Sequence, residues 1–229
     1  MNYTDLRFDV SNEVLALGVN GAYFAMRGLS IKDSDAEFEV LRTETLKEIL
    51  PRLSAREIED DPILNGFRVL HERVKVSNRK HVASPENLLG FLIQRHQMPH
   101  INLLVDIYNL VSIKSRLAIG AHDIGSISGD VHLRLTNGNE NFWPLGLDKP
   151  KPVGVGEYGY IDDSNDVICR LEVRQVEKTK VTAVTQECFY IVQGNAASDV
   201  NYIRAATEEL IALTKRFCGG EVRFLFTPW

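Results

Sequence analysis

The sequence predicts an α+β fold organised as a single domain, on three observations. Helical spacing dominates the chain up to about Lys114. Short β-branched or aromatic runs fill most of the chain after Gly120. Between the two halves there is none of the regular strand–helix–strand alternation that a parallel α/β sheet requires. No internal repeat is visible. The one linker-like stretch, Gly146 to Gly156, reads as an exposed hairpin loop within residues 1–229 rather than a boundary.

Leu6 to Ser30 alternates weakly between apolar and polar residues and is punctuated by Gly18, Gly21 and Gly28, so a strand, a turn and a second strand or loop are expected. "SDAEFEVLRTETLKEILPRL" has Phe38, Leu41, Leu46 and Ile49 at helical spacing, with Ser34 as the expected cap. "SPENLLGFLIQRH" starts a helix with Ser84 as cap, Pro85 at the first position and Leu88, Leu89 and Leu92 inward. Pro99 ends it, and "INLLVDIYNLVSIK" forms the next helix, ahead of a "GAHD" turn. "DVHLRL", "GEYGYID", "VICRLEV", "KVTAVT" and "CFYIVQG" are expected strands. "SDVNYIRAATEELIALTKRF" is a helix capped by Ser198, with Val200, Ile203, Leu210 and Leu213 inward and "CGG" as its stop. "EVRFLF" is the last strand.

Composition removes several classes of function. A net charge of −5 means that nucleic acid is not attracted by the whole molecule, so any RNA contact needs a local basic patch. Three widely spaced cysteines, Cys169, Cys188 and Cys218, fit reduced thiols in a cytoplasmic protein and no zinc pattern. The first residues show no secretory signal, and no apolar run is long enough to span a bilayer. Neither GxxxxGK[ST] nor GxGxxG opens a helix after a strand, so no nucleotide cofactor is expected. HExxH and GxSxG are also absent. His96 and His100 are four apart, but Pro99 lies between them, so they read as solvated residues rather than a metal site.

The informative stretch is Ile101 to Lys114. It is apolar nearly all round, as a buried helix is. Yet Asn102, Asp106 and Asn109 stand at i, i+4 and i+7, on one face. A buried amide or carboxylate left unpaired costs about 1–3 kcal/mol. The stripe is therefore satisfied in one of two ways. It ties the helix to loop amides, or it lines a pocket and meets a polar ligand. A second candidate cluster is the strand "ICRLEVRQ". Alternation would put Arg170, Glu172 and Arg174 on one face, as a solvated stripe or as a site wall. The basic segment "FRVLHERVKVSNRKH" offers Arg68, Arg73, Arg79 and Lys80 as phosphate contacts or as a solvated surface.

"VDIYNLVSIKSRLAIGAHDI" followed by "GDVHLRL" resembles the start of the tRNA-editing domain of the phenylalanyl-tRNA synthetase β subunit, its third and fourth structural modules. The family pattern there is Asn-x-x-Val-Asp-x-x-Asn, then a turn ending in Asp. Asn102, Val105, Asp106, Asn109 and Asp123 match it, and Ile161 and Asp162 match a later Ile-x-Asp segment. Stand-alone relatives of that domain carry a Pro-Ser-x-Glu-x-Leu-Leu helix before Leu-Pro-x-Ile-Asn, which "SPENLLGFLIQRHQMPHIN" resembles. They also carry an Arg…Arg-(Asp/Gln)…Thr-Lys strand, here Arg170, Arg174, Gln175, Thr179 and Lys180. The resemblance is best over residues 62–194 and rests on the order and spacing of these motifs.

The resemblance implies a mixed sheet flanked by helices and a role in protein biosynthesis. It implies hydrolysis of a mischarged aminoacyl-tRNA, with tRNA as partner and no cofactor or metal. It points to Asn109, His122 and Arg174 as catalytic, and to Asn102, Asp106, Asp123, Glu172, Gln175, Thr179 and Lys180 as substrate-binding. The chain departs from the family at Gly120, where the synthetase has a histidine. It also shows no counterpart of the glutamate that reads the tyrosine hydroxyl. The competing reading is a non-catalytic module that binds an amino acid or a tRNA end. Neither reading makes the chain an aminoacyl-tRNA ligase, and neither specifies the oligomeric state.

Overall fold

A computed structural model describes residues 3–229. The chain opens with β1 (Phe8–Val10), a five-residue helix α1 (Asn12–Ala16) and β2 (Asn20–Arg27). Five helices follow: α2 (Ala36–Ile49), α3 (Ala55–Asp60), α4 (Pro62–Arg73), α5 (Ser84–Arg95) and α6 (Leu103–Ser115). Then come β3 (Ala118–Asp123), β4 (Val131–Leu135), β5 (Tyr158–Asp162), β6 (Val167–Arg170), β7 (Arg174–Gln175) and β8 (Glu187–Gly194). Helix α7 (Val200–Cys218) and β9 (Glu221–Phe226) complete it. The α+β class and the segregation of helices and strands are as the sequence predicts.

The strands form two sheets, ordered β1-β4-β5-β6-β7 and β3-β8-β2-β9. β1 and β4 run parallel and every other pairing is antiparallel, so the first sheet is mixed. The sheets face each other through aromatic rings: Phe8 lies 4.2 Å from Tyr23 and 5.4 Å from Phe189, and Tyr23 lies 5.9 Å from Tyr160. Strands β2 and β8 are covered on both faces. Their runs "AYFAM" and "CFYIV" are accordingly continuous rather than alternating. The second face, where Phe24 stacks on Tyr190 at 4.8 Å, packs under α6 and α7.

Helix α6 shows why the apolar content of "LLVDIYNLVSIKS" matters. Twelve of its thirteen residues are buried, all but Lys114, and its neighbours are α7, β3 and α5. Each Leu or Ile so buried contributes about 1.5–3 kcal/mol relative to exposure. Helix α4 is amphipathic, burying Ile63, Leu64, Phe67 and Leu70, and starts with Asp61 as cap and Pro62 at its first position.

Several local expectations are corrected. Asp35, not Ser34, caps α2 by accepting from Glu37 and Phe38 N–H. Ala83 precedes α5 and no side chain caps it, Ser84 being its first residue. Asp199 caps α7 through Tyr202 N–H at 2.8 Å, while the Ser198 hydroxyl serves the Asn195 loop. "KVTAVT" forms no strand. "GAHD" is not a turn but the last four residues of edge strand β3. "VICRLEV" is a strand only to Arg170. Leu171 then takes φ +53° and the chain reverses into β7, so Arg170 and Arg174 face each other across the β6–β7 pair while Glu172 lies in the reversal between them, and the three do not form a stripe along one strand.

Candidate functional site

A cavity of about 350 Å³ lies between the two sheets at the edge where β3 stands. Gly120 of β3 and Ile191 and Gln193 of β8 form one wall. The β6–β7 reversal, with Glu172, Arg174 and Gln175, forms the wall opposite. Helices α5 and α6 close the side through Phe91 and Asn109. Asn109 is only 9% exposed, yet its side chain forms no hydrogen bond among the described residues. A buried amide with its donors and acceptor free, at the wall of a cavity, is available to a ligand or to water. The Gln175 amide projects over β3. A Cβ on Gly120 would stand 2.5 Å from its Nε2, so glycine there leaves the room that the amide fills.

The cavity floor is a closed polar network. Glu172 is buried, with Oε1 at 2.5 Å from His71 Nε2 and Oε2 accepting from the Tyr158 hydroxyl and, at 3.3 Å, from Gln193 Nε2. Gln193 Oε1 in turn accepts from the Tyr160 hydroxyl at 2.6 Å. Burial acts to lower the His71 pKa, but the bond to Glu172, that carboxylate's charge and the Asn78 and His81 contacts outweigh it, and the value is raised. The contact ties α4 to the β6–β7 turn. Cys169 also lines the cavity. Burial and, after it, the Glu172 charge push its thiol up to about 12, so it is no thiolate nucleophile.

Of the ten residues singled out for catalysis or substrate binding, four line this cavity: Asn109, Glu172, Arg174 and Gln175. Arg174 is exposed at its rim, its Nη2 donating to Leu145 O at 2.9 Å. The others are elsewhere. Asn102 caps α6, its Oδ1 accepting from Val105 N–H at 3.1 Å. Asp106, 1% exposed, accepts from Ile101 N–H at 3.0 Å and lies 2.6 Å from His100 Nδ1 and 3.5 Å from Arg42 Nη1. Asp123 caps the turn Ile124–Ser126 and accepts from the Thr185 hydroxyl. His122 is fully buried, with Nδ1 against the Thr179 hydroxyl at 2.8 Å and Nε2 without a partner among the described residues. Burial alone lowers its pKa to about 3, so it is a neutral ring outside the cavity. Lys180 pairs with Glu177.

The basic segment divides as well. Arg68 is spent on Glu86 and the carbonyls of Ile58 and Glu59 at the α3–α4 corner, and Arg73 on the Leu17 carbonyl. Arg79 and Lys80 are exposed. Sequence reasoning missed His71, Tyr158, Tyr160 and Gln193. The signal was faint but present: Gln193 is a lone amide inside "CFYIVQG", and a polar residue in a run buried on both faces needs a partner.

The B3/4 domain family matches residues 72–219, well over half of the chain. The chain belongs to that family. The match covers α5, α6, both cavity walls and α7, and it runs beyond Gly194, where the sequence motifs stop being recognisable. The fold is shared with an N-terminal fragment of the phenylalanyl-tRNA synthetase β subunit from Pyrococcus horikoshii, at 14% identity and a TM-score of 0.52. The alignment covers 97% of this chain and 52% of that one, so the B3/4 protein spans about half the length of the fragment. No curated protein matches the chain in sequence. Among the described residues no helix is long and apolar enough to cross a membrane.

Proposed function

We propose that this B3/4 domain protein binds the aminoacylated end of a tRNA in the cavity between its sheets and hydrolyses a mischarged ester in trans, in the cytoplasm. The observation that carries the reading is the Asn109 amide, buried at the cavity wall with its hydrogen-bonding capacity free. In the reaction, water adds to the ester carbonyl carbon. The bond to the ribose oxygen breaks, that oxygen takes the proton, and free amino acid and tRNA leave. An aminoacyl ester is already activated, so orienting one water and the carbonyl is the main demand on the protein. Asn109 and Gln175 supply neutral donors and acceptors for that purpose, and Arg174 at the rim supplies a cation for the ribose-phosphate.

One observation favours a second reading, a binding module without turnover. Among the described residues no base is free in the cavity: Glu172 is held by three partners and His122 lies outside it. Purified protein incubated with a panel of misacylated tRNAs separates the two. Release of at least one amino acid well above the spontaneous rate, lost in Arg174→Ala with the fold intact, is the expected result. Spontaneous rates across the whole panel, with retained affinity for aminoacyl-tRNA, would leave the binding module.

A further inference from the structure

A second groove, of about 650 Å³, adjoins the cavity, and the two share Phe91 and Pro99. It runs between α2 and the end of α5. Its apolar floor is Leu46, Leu50 and Met98, and its rim carries Arg42, Lys47, His96 and His100. No carboxylate lines it. Nothing in the overall charge of −5 requires this, since α2 alone holds Glu37, Glu39, Glu44 and Glu48. Those four lie outside the groove, while Arg42, Leu46 and Lys47 follow helical spacing into it.

Two of the basic rim side chains are held by carboxylates. Asp106, buried under the groove, bonds both His100 and Arg42, Glu39 holds Arg42 from the side, and the exposed Asp33 lies 3.7 Å from His100 Nε2. Lys47 and His96 are exposed and pair with no carboxylate among the described residues. The shared wall is Phe91, which is 37% exposed although it is a large apolar residue on a helix. An exposed aromatic between basic side chains, Lys47 foremost, and an adjoining cavity is what a single strand needs. Bases stack on the ring and phosphates meet the basic side chains.

We infer that this groove receives the single-stranded terminal nucleotides of an RNA whose 3′ end carries the aminoacyl group into the cavity. A base stacks on Phe91 and the backbone phosphates run along Lys47, His96, Arg42 and His100. The inference rests on the proposed function and deepens it. It moves the RNA contact from the Arg68–Lys80 segment, half of which is spent on internal bonds, to the α2–α5 groove. Asp106, which the sequence placed in a substrate-binding stripe, becomes a positioning residue for two rim cations.

The test uses 5′-fluorescein-labelled RNA tetranucleotides in two forms, with a free 3′ end and with each amino acid of the panel attached there as a stable amide. Affinity is read by anisotropy across a salt series. Wild type binds both forms, and one or more amides more tightly. Lys47→Glu and Phe91→Ala each weaken both forms by about tenfold, and Lys47→Glu lowers the salt slope by about one. Asn109→Ala weakens only the aminoacylated form. Unchanged affinities in Lys47→Glu and Phe91→Ala, with Asn109→Ala still selective, would overturn the groove assignment and leave the cavity reading intact. Wild type that gains nothing from any attached amino acid, yet responds to both groove variants, would keep the groove and remove the cavity reading. Absence of binding to every probe would remove both.

Discussion

The two ends of one polar stripe on α6 differ in kind. At the start of the helix, Asn102 and Asp106 are saturated by the protein itself: Asn102 by a backbone N–H, Asp106 by a backbone N–H, an imidazole and a guanidinium. One turn later, Asn109 is also buried, at 9% exposure against 1% for Asp106, and bonds to nothing among the described residues. Spacing put all three on one helix face, but Asn102 is the N-cap with extended backbone, and only Asp106 and Asn109 lie within α6. It could not say that the face turns from a loop packed with donors to a cavity. The lesson is that burial alone does not separate a structural polar residue from a binding one. The separation lies in whether its hydrogen bonds end inside the protein.

The largest effect that this comparison predicts comes from Asp106→Ala. The change strands the Ile101 N–H and leaves His100 and Arg42 without their buried carboxylate. Equilibrium urea unfolding should show a loss of about 2–3 kcal/mol. Asn102→Ala removes only an N-cap and should cost about 1 kcal/mol in the same experiment. A loss at Asn102 as large as that at Asp106 would mean that the helix start, rather than the network, holds this corner together.

A smaller effect lies in the pH dependence. The hydrogen bond that His100 donates to Asp106, then that carboxylate's charge, raise the His100 pKa above its ordinary value of about 6.5. A raised folded-state pKa means that the stabilisation is fully present below about 6.5 and fades as pH climbs through the folded value. His71 and His132 are raised too and contribute with the same sign. The discriminating quantity is therefore the difference between wild type and His100→Gln. That difference should be greatest near pH 6 and shrink on the alkaline side. It should stay below the N-cap effect, because the exposed imidazole is screened. A difference that grows with pH would contradict the assignment.

Much of the fold was legible because burial wrote it into continuous runs. α6, β4, β5, β8 and β9 were each visible as apolar stretches of the right length. Helix α4 was not, because the basic residues from Arg68 to Lys80 obscure the plain helical pattern of Ile63, Leu64, Phe67 and Leu70. "KVTAVT" misled in the opposite direction: it is β-branched, but no neighbouring strand pairs with it, and Val184 is exposed. Strand propensity has no effect without a partner. At the site, Asn109 was legible from the stripe. Glu172 was put on one strand face with Arg170 and Arg174, as a solvated stripe or a site wall, because strand alternation was carried through Leu171, where a positive φ turns the chain and sends the next side chain inward to His71. That reversal has no signature in the sequence: Leu is not a residue that marks a left-handed turn.

The smallest stability effect should be at Asn109, and it is the one that decides the comparison. If its amide bonds to nothing within the folded protein, Asn109→Ala gives up no internal hydrogen bond. It also removes a polar group from a partly dry wall, which tends to offset the lost contacts. Urea unfolding should then place the variant within about 0.5 kcal/mol of wild type, against several times that for Asp106→Ala three residues earlier. Ligand recognition should move the other way. A neutral hydrogen bond to a bound aminoacyl group is worth about 0.5–1.5 kcal/mol, so affinity should fall by roughly two- to tenfold. If Asn109 also orients the attacking water, the rate of deacylation should fall by more than the affinity does. Double variants should be additive in stability for Asp106 with Asn102 absent any shared partner, and Asn109 should add nothing to either. A destabilisation at Asn109 comparable with that at Asp106, with aminoacyl-RNA affinity unchanged, would make all three residues one structural stripe and leave the cavity without its recognition group.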